Sequence, residues 1–110
     1  MEIINCTPHE IVVKTNEKIT CFKPSGIVSR VKVEFYQQSN PIYQRVYVQK
    51  YSGIENLPEP KKETMFIVSG IVLEAAKVSG RTDCISPATG HLDVERNDKG
   101  HILNVPGFVI

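Results

Sequence analysis

Thr64-Met-Phe-Ile-Val-Ser-Gly-Ile-Val-Leu-Glu-Ala-Ala-Lys-Val-Ser-Gly80 is the stretch that decides how this chain folds. Thr64 to Val68 is a short, continuously apolar run, the pattern of a strand buried on both faces. Ser69 then offers a side-chain oxygen to a free backbone N–H of a first helical turn, as an N-cap does. Ile71, Val72, Ala75, Ala76 and Val78 supply an apolar stripe at helical spacing. Gly80 ends it, because glycine takes left-handed backbone at no steric cost. The stretch predicts a buried strand, a sharp entry and one main helix over about residues 69–79.

Outward from it, the pattern is β. Glu2-Ile3-Ile4 and Ile11-Val12-Val13 are short apolar runs on either side of Asn5-Cys6-Thr7-Pro8-His9, a polar turn stiffened by Pro8. Lys18 to Phe22 alternates and stops at Lys23-Pro24-Ser25-Gly26. Ile27 to Tyr36 and Ile42 to Tyr51 form a hairpin with a polar tip, with Tyr36, Tyr43, Tyr47 and Tyr51 clustered in it. Leu57-Pro58-Glu59-Pro60 is an ordered loop, since two prolines remove ladder donors. Arg81 to Gly90 reads as a loop. Leu92 to Arg96 and His101 to Val105 flank Asn97-Asp98-Lys99-Gly100 as a second hairpin. The fold class is α+β: mainly antiparallel β-sheet with β-hairpins and one main α-helix, in a single domain over residues 1–110.

Composition narrows the function. The net charge is +1, so no global field draws nucleic acid, and an anionic partner needs local arginines. No apolar run reaches the roughly 20 residues of a membrane span, and the first residues do not read as a secretory leader. Cys6, Cys21 and Cys84 have no metal-type spacing and read as reduced, half-buried thiols of a cytosolic protein. His9, His91 and His101 are scattered, so no metal site and no cofactor is expected. Ser69 lacks the Gly-x-Ser-x-Gly elbow, and its cap role accounts for it, so no catalytic residue is expected and the chain does not read as an enzyme.

The remaining candidates are binding groups, each with a plain structural reading beside it. Ser69-Gly70 at a helix start is either a cap or an anion site. Arg81 and Asp83 share the loop after the helix, where they hold a phosphate and a ribose hydroxyl or staple the loop to itself. Arg30 and Arg45 lie on neighbouring strands and share a face, for a ligand or for solvent. Asn5, Thr7 and His9 in the first turn bond a ligand or the local backbone.

Several segments taken in order resemble a family of small bacteriophage proteins. They are Ile4 to His9, Pro24 to Val31, Leu57 to Pro60, Phe66 to Gly70, Arg81-Thr82-Asp83, Pro87 and Gly107-Phe108-Val109. The family identified is the Thoeris anti-defence sponges of the first type. The resemblance implies a non-enzymatic binder in the cytoplasm of an infected bacterium. It would sequester cyclic ADP-ribose isomers made by TIR-domain proteins, and also cyclic oligonucleotides, as a homodimer or larger homo-oligomer. No long nucleic acid and no membrane is implied as partner. Phe66 is then the ring expected to stack a base. The expected ligand-binding residues are Asn5, Thr7, His9, Arg30, Arg45, Phe66, Ser69, Arg81 and Asp83. Two rivals stand beside this: an inhibitor that binds a host defence protein directly, and a small signal-degrading enzyme with His9 as general base.

Overall fold

The computed structural model describes residues 1–110. The chain is α+β, with one helix and mostly antiparallel hairpins. At its centre is a four-stranded sheet of order β1-β6-β7-β10: β1 (Glu2–Asn5), β6 (Thr64–Ile67), β7 (Cys84–Pro87) and β10 (Phe108–Val109). β1, β6 and β7 run parallel, and β10 closes the edge antiparallel to β7. α1 (Gly70–Val78) connects β6 to β7, so Thr64 to Pro87 is a strand–helix–strand unit with parallel strands side by side.

That unit follows from its residues. Phe66, Ile67 and Val68 are fully buried, as a strand covered on both faces demands. Ser69 is the N-cap and accepts from the Val72 N–H. Gly80 takes φ +89°, and the helix ends in a complete Schellman arrangement: the Gly80 N–H reaches the Lys77 carbonyl at 3.1 Å and the Arg81 N–H reaches that of Ala76 at 2.9 Å. Val72, Leu73 and Ala76 point inward onto Cys6, Phe66, Val68 and Cys84.

β7 and β10 are strands where the sequence reads as a loop and a tail. Cys84 to Pro87 is short and lies between turn-forming Asp83 and Pro87, but its backbone pairs with β6 on one side and β10 on the other. Ladder pairing in the centre of a sheet overrides weak local preference there.

Three hairpins surround this core. β2 (Ile11–Lys14) pairs with β3 (Ile19–Phe22), and β8 (Glu95–Arg96) with β9 (Ile102–Asn104). Bridges at Asn5–Pro24 and Val13–Val105 tie β3's exit to β1 and the C-terminal segment to β2. β4 (Arg30–Gln38) and β5 (Val46–Glu55) make the longest hairpin. Its root packs on the core through Val31 and Ile54, and a bulge beside Gly53, at φ +141°, bends it. Beyond the root it is an arm exposed on both faces, which gives the molecule extents of 57 × 40 × 22 Å. No helix is long and apolar enough to cross a membrane.

Candidate functional site

Parallel strands carry their neighbours' loops to one edge. Here the loops that follow β1, β6 and β7 all leave at the carboxyl edge of the sheet, where α1 begins. In open sheets with parallel strands and helices, that edge is where ligands bind. A cavity of about 650 Å³ opens there, lined by Thr7, Pro8 and His9 after β1, Ser69 and Gly70 after β6, and Ser86 to His91 at the end of β7.

The helix start supplies donors. Ser69 Oγ caps the Val72 N–H across a long 3.4 Å, and the Gly70 and Ile71 N–H groups have no acceptor within the chain. They sit at the positive end of the helix dipole. Ser86 is the second feature: it is 3% exposed and lines the cavity, yet its hydroxyl takes no partner from the chain. Every fully enclosed polar side-chain atom in the molecule does have one, so the Ser86 hydroxyl is open to the cavity. No carboxylate, lysine or arginine lines this space; its titratable groups are the imidazoles of His9 and His91. The arrangement can hold a small anion, with oriented N–H groups and a hydroxyl to bond it and no carboxylate to repel it.

A neighbouring hollow of about 670 Å³ shares His9, Ile11, Pro87 and Thr89 with the first and adds Arg96 and His101. All three imidazoles of the chain thus gather at one end of the molecule. No group of three or more His, Cys, Asp or Glu is placed to hold a metal ion.

The expected site residues divide sharply. Thr7, His9 and Ser69 come together in the cavity. Asn5 does not line it: its side chain is 2% exposed and holds the turn together from inside. Thr7 is partly spent in the same way, donating its hydroxyl to Asn5 Oδ1 at 2.7 Å. Phe66 is fully buried in the core, closed off from any base by the helix and the flanking strands.

Arg30 and Arg45 do not share a face. Antiparallel pairing puts Arg30, opposite Glu55, at the root of the arm, while Arg45 lies just past the Gln38–Val46 pair at its far end. Arg81 and Asp83 lie at the amino end of β7, across the sheet from the cavity. Arg81 donates through Nε and Nη2 to the two Asp83 oxygens, each at 2.9 Å, and through Nη2 to the Pro58 carbonyl at 2.8 Å. Its guanidinium also sits 5.9 Å from the Phe66 ring centre. That is the staple reading of the pair.

Sequence reasoning missed Ser86, Thr89, His91, Arg96 and His101. They carry no motif: Ser86, Thr89 and His91 reach the cavity only because β7 sits beside β6, and Arg96 and His101 reach the neighbouring hollow because the C-terminal segment is bridged to β2. Comparison with known proteins finds no matching family model, no matching curated protein and no matching solved structure.

Proposed function

We propose that this protein is a non-enzymatic binder that sequesters a small phosphate-bearing signal at the carboxyl edge of its parallel strands. The observation that carries the reading is the unpartnered, nearly buried Ser86 hydroxyl beside the free N–H groups at the start of α1. Such donors bind a phosphate oxygen without chemistry. The cavity's size falls within the roughly 300–1,000 Å³ of small-molecule sites. The ordered resemblance of segments narrows the class to a phage anti-defence sponge, with a cyclic ADP-ribose isomer as ligand and cyclic oligonucleotides as further cargo. The groups that grip it are then Ser69, Gly70, Ser86 and His9, with Arg96 nearby, in place of Arg30, Arg45, Arg81 and Asp83.

A second reading comes from the imidazoles. His9 and His91 flank the same cavity, where one could act as a general base on a bound nucleotide. One experiment addresses both. The protein is mixed with a cyclic ADP-ribose isomer, freed of unbound ligand, heat-denatured, and the released compound is weighed by mass spectrometry. Intact ligand, lost in Ser86→Ala, supports the sponge. Altered ligand supports an enzyme. No retained ligand overturns both and favours a protein target.

A further inference from the structure

We propose that His91 is a specificity-determining donor of the cavity: the loop after β7 locks its neutral imidazole with the proton on Nε2, so the ligand group that meets it must be an acceptor, such as a phosphate oxygen. This role rests on the binding reading above, to which it adds the residue that selects the ligand group.

The lock is a hydrogen bond from the main chain. The Asp93 backbone N–H donates to His91 Nδ1 at 3.0 Å. An N–H needs a lone pair opposite it, and only a ring nitrogen without a proton supplies one. Turning the ring over would set a carbon against that N–H. The Asp93 carboxylate pulls the other way, since a carboxylate beside Nδ1 favours a proton there. Its Oδ2 lies 3.9 Å away, beyond hydrogen-bond reach, on a side chain 78% exposed to screening water. The backbone contact wins on distance. Neutral His91 therefore carries its one proton on Nε2.

The rest of the residue is committed to the same loop. Its N–H donates to the Ala88 carbonyl at 3.2 Å, and its carbonyl accepts from the Val94 N–H at 3.3 Å. With Nδ1 taken as well, Nε2 is the one polar atom of His91 left for a ligand, and His91 lines the cavity. A plain turn does not call for imidazole, because Asn or Asp accepts the backbone N–H two residues on in the same way. Imidazole differs in having its two nitrogens on opposite sides of a ring. It accepts from the loop and donates away from it.

The cavity then presents donors: the Gly70 and Ile71 N–H groups, the Ser86 hydroxyl and the His91 Nε2–H. None is charged while His91 is neutral. A phosphate oxygen answers each of them, whereas an ammonium group answers only the hydroxyl. The same lock bears on catalysis. A general base needs an unprotonated nitrogen, and neutral His91 has none free. His9 is left as the one imidazole of the cavity able to take a proton from a ligand.

Long-range proton–nitrogen spectra of the labelled protein at about pH 8.5, above the range in which imidazole ordinarily titrates, read the tautomer directly. His91 should show a protonated Nε2 and an unprotonated Nδ1. Adding inorganic phosphate should move the His91 Nε2 signal together with the Gly70 and Ile71 amides. His91→Asn keeps an acceptor for the Asp93 N–H and removes the distal donor. It should fold as the parent does, bind phosphate roughly tenfold more weakly, and still respond at Gly70 and Ile71. A proton on Nδ1, a His91 signal left still while the two amides move, or parent affinity in His91→Asn overturns this role and spares the anion site. Amides that do not respond in the parent overturn the site and the role together.

Discussion

Asn5 Oδ1 accepts from both donors of Thr7, the backbone N–H at 2.9 Å and the hydroxyl at 2.7 Å. The same side chain donates through Nδ2 to the carbonyls of His9 at 2.8 Å and Phe22 at 2.9 Å. One buried amide therefore fixes the loop that presents Pro8 and His9 to the cavity and ties it to the end of β3.

Asn5→Asp keeps the acceptor and loses both donors, leaving a carboxylate against two carbonyl oxygens in the interior. It should destabilise by about 3 kcal/mol or more, because an uncompensated buried charge costs that much. Thr7→Ser keeps both donors and should stay within roughly 1 kcal/mol of the parent. Urea unfolding of the three proteins checks this. An Asn5→Asp variant as stable as the parent would mean the turn is held by Pro8 and the flanking strands instead.

Ser69 and Ser86 line one cavity but should respond oppositely to loss of their hydroxyls. Ser69→Ala removes a cap whose bond is long, 3.4 Å, and should cost about 0.5–1 kcal/mol. Ser86→Ala removes a nearly buried hydroxyl with no partner in the chain and should leave the melting temperature unchanged or slightly raised. Both should weaken binding of a phosphate-bearing ligand in a calorimetric titration. Full affinity in Ser86→Ala would take away the observation on which the binding role rests.

The helix, its cap and its glycine stop were legible because each is a local event: Ser69, the stripe from Ile71 to Val78 and Gly80 act over a few residues. The long hairpin was legible for the same reason, although β4 runs from Arg30 to Gln38 and β5 from Val46 to Glu55, later than alternation alone suggests. The parallel pairing was not. Glu2 meets Thr64 across two intervening hairpins and Phe66 meets Cys84 across α1, and nothing in four-residue runs names a partner so distant. The site inherits that limit. Thr7, His9 and Ser69 stood out as polar residues beside apolar runs. Ser86 and His91 acquire meaning only once β7 sits beside β6. Arg81 and Asp83 read equally as a phosphate and ribose grip or as a staple, and a guanidinium two residues from a carboxylate has a partner at hand.

The thiols should separate by burial. Cys21 is exposed, whereas Cys6 and Cys84 are buried. Burial pushes the Cys6 thiol up, and burial with the adjacent Asp83 carboxylate pushes Cys84 up to about 11. An aromatic disulfide reagent at mildly alkaline pH should therefore titrate one thiol per native chain and all three in denaturant. Rapid reaction of a second thiol in the native protein would show that the sheet opens at β1 or β7.

Arg81 and Asp83 form an ion pair whose side chains are 18% and 17% exposed, with the Pro58 carbonyl as a third anchor. The pair joins the entry of β7 to the proline loop that follows the arm. Arg81→Ala strands Asp83 and should cost about 1.5–3 kcal/mol, the range for hydrogen bonds to charged groups. Arg81→Lys should recover little, since an ammonium cannot bridge both carboxylate oxygens and the carbonyl in one plane. The acid limb carries a further signature. Hydrogen bonding from Arg81, opposed by burial and aided by its charge, holds the Asp83 carboxyl below its ordinary value of 3.8. A carboxyl lowered on folding stabilises the native state fully above its unfolded value, and that contribution is lost as pH falls through the folded one. Asp83→Asn should thus lower stability at neutral pH and flatten the loss of stability below about pH 4. Ligand affinity should be unchanged in Arg81→Ala, because β7, four residues and about 13 Å long, separates the pair from the cavity. Weakened binding with an unaltered melting temperature would return Arg81 to the ligand site and displace the staple.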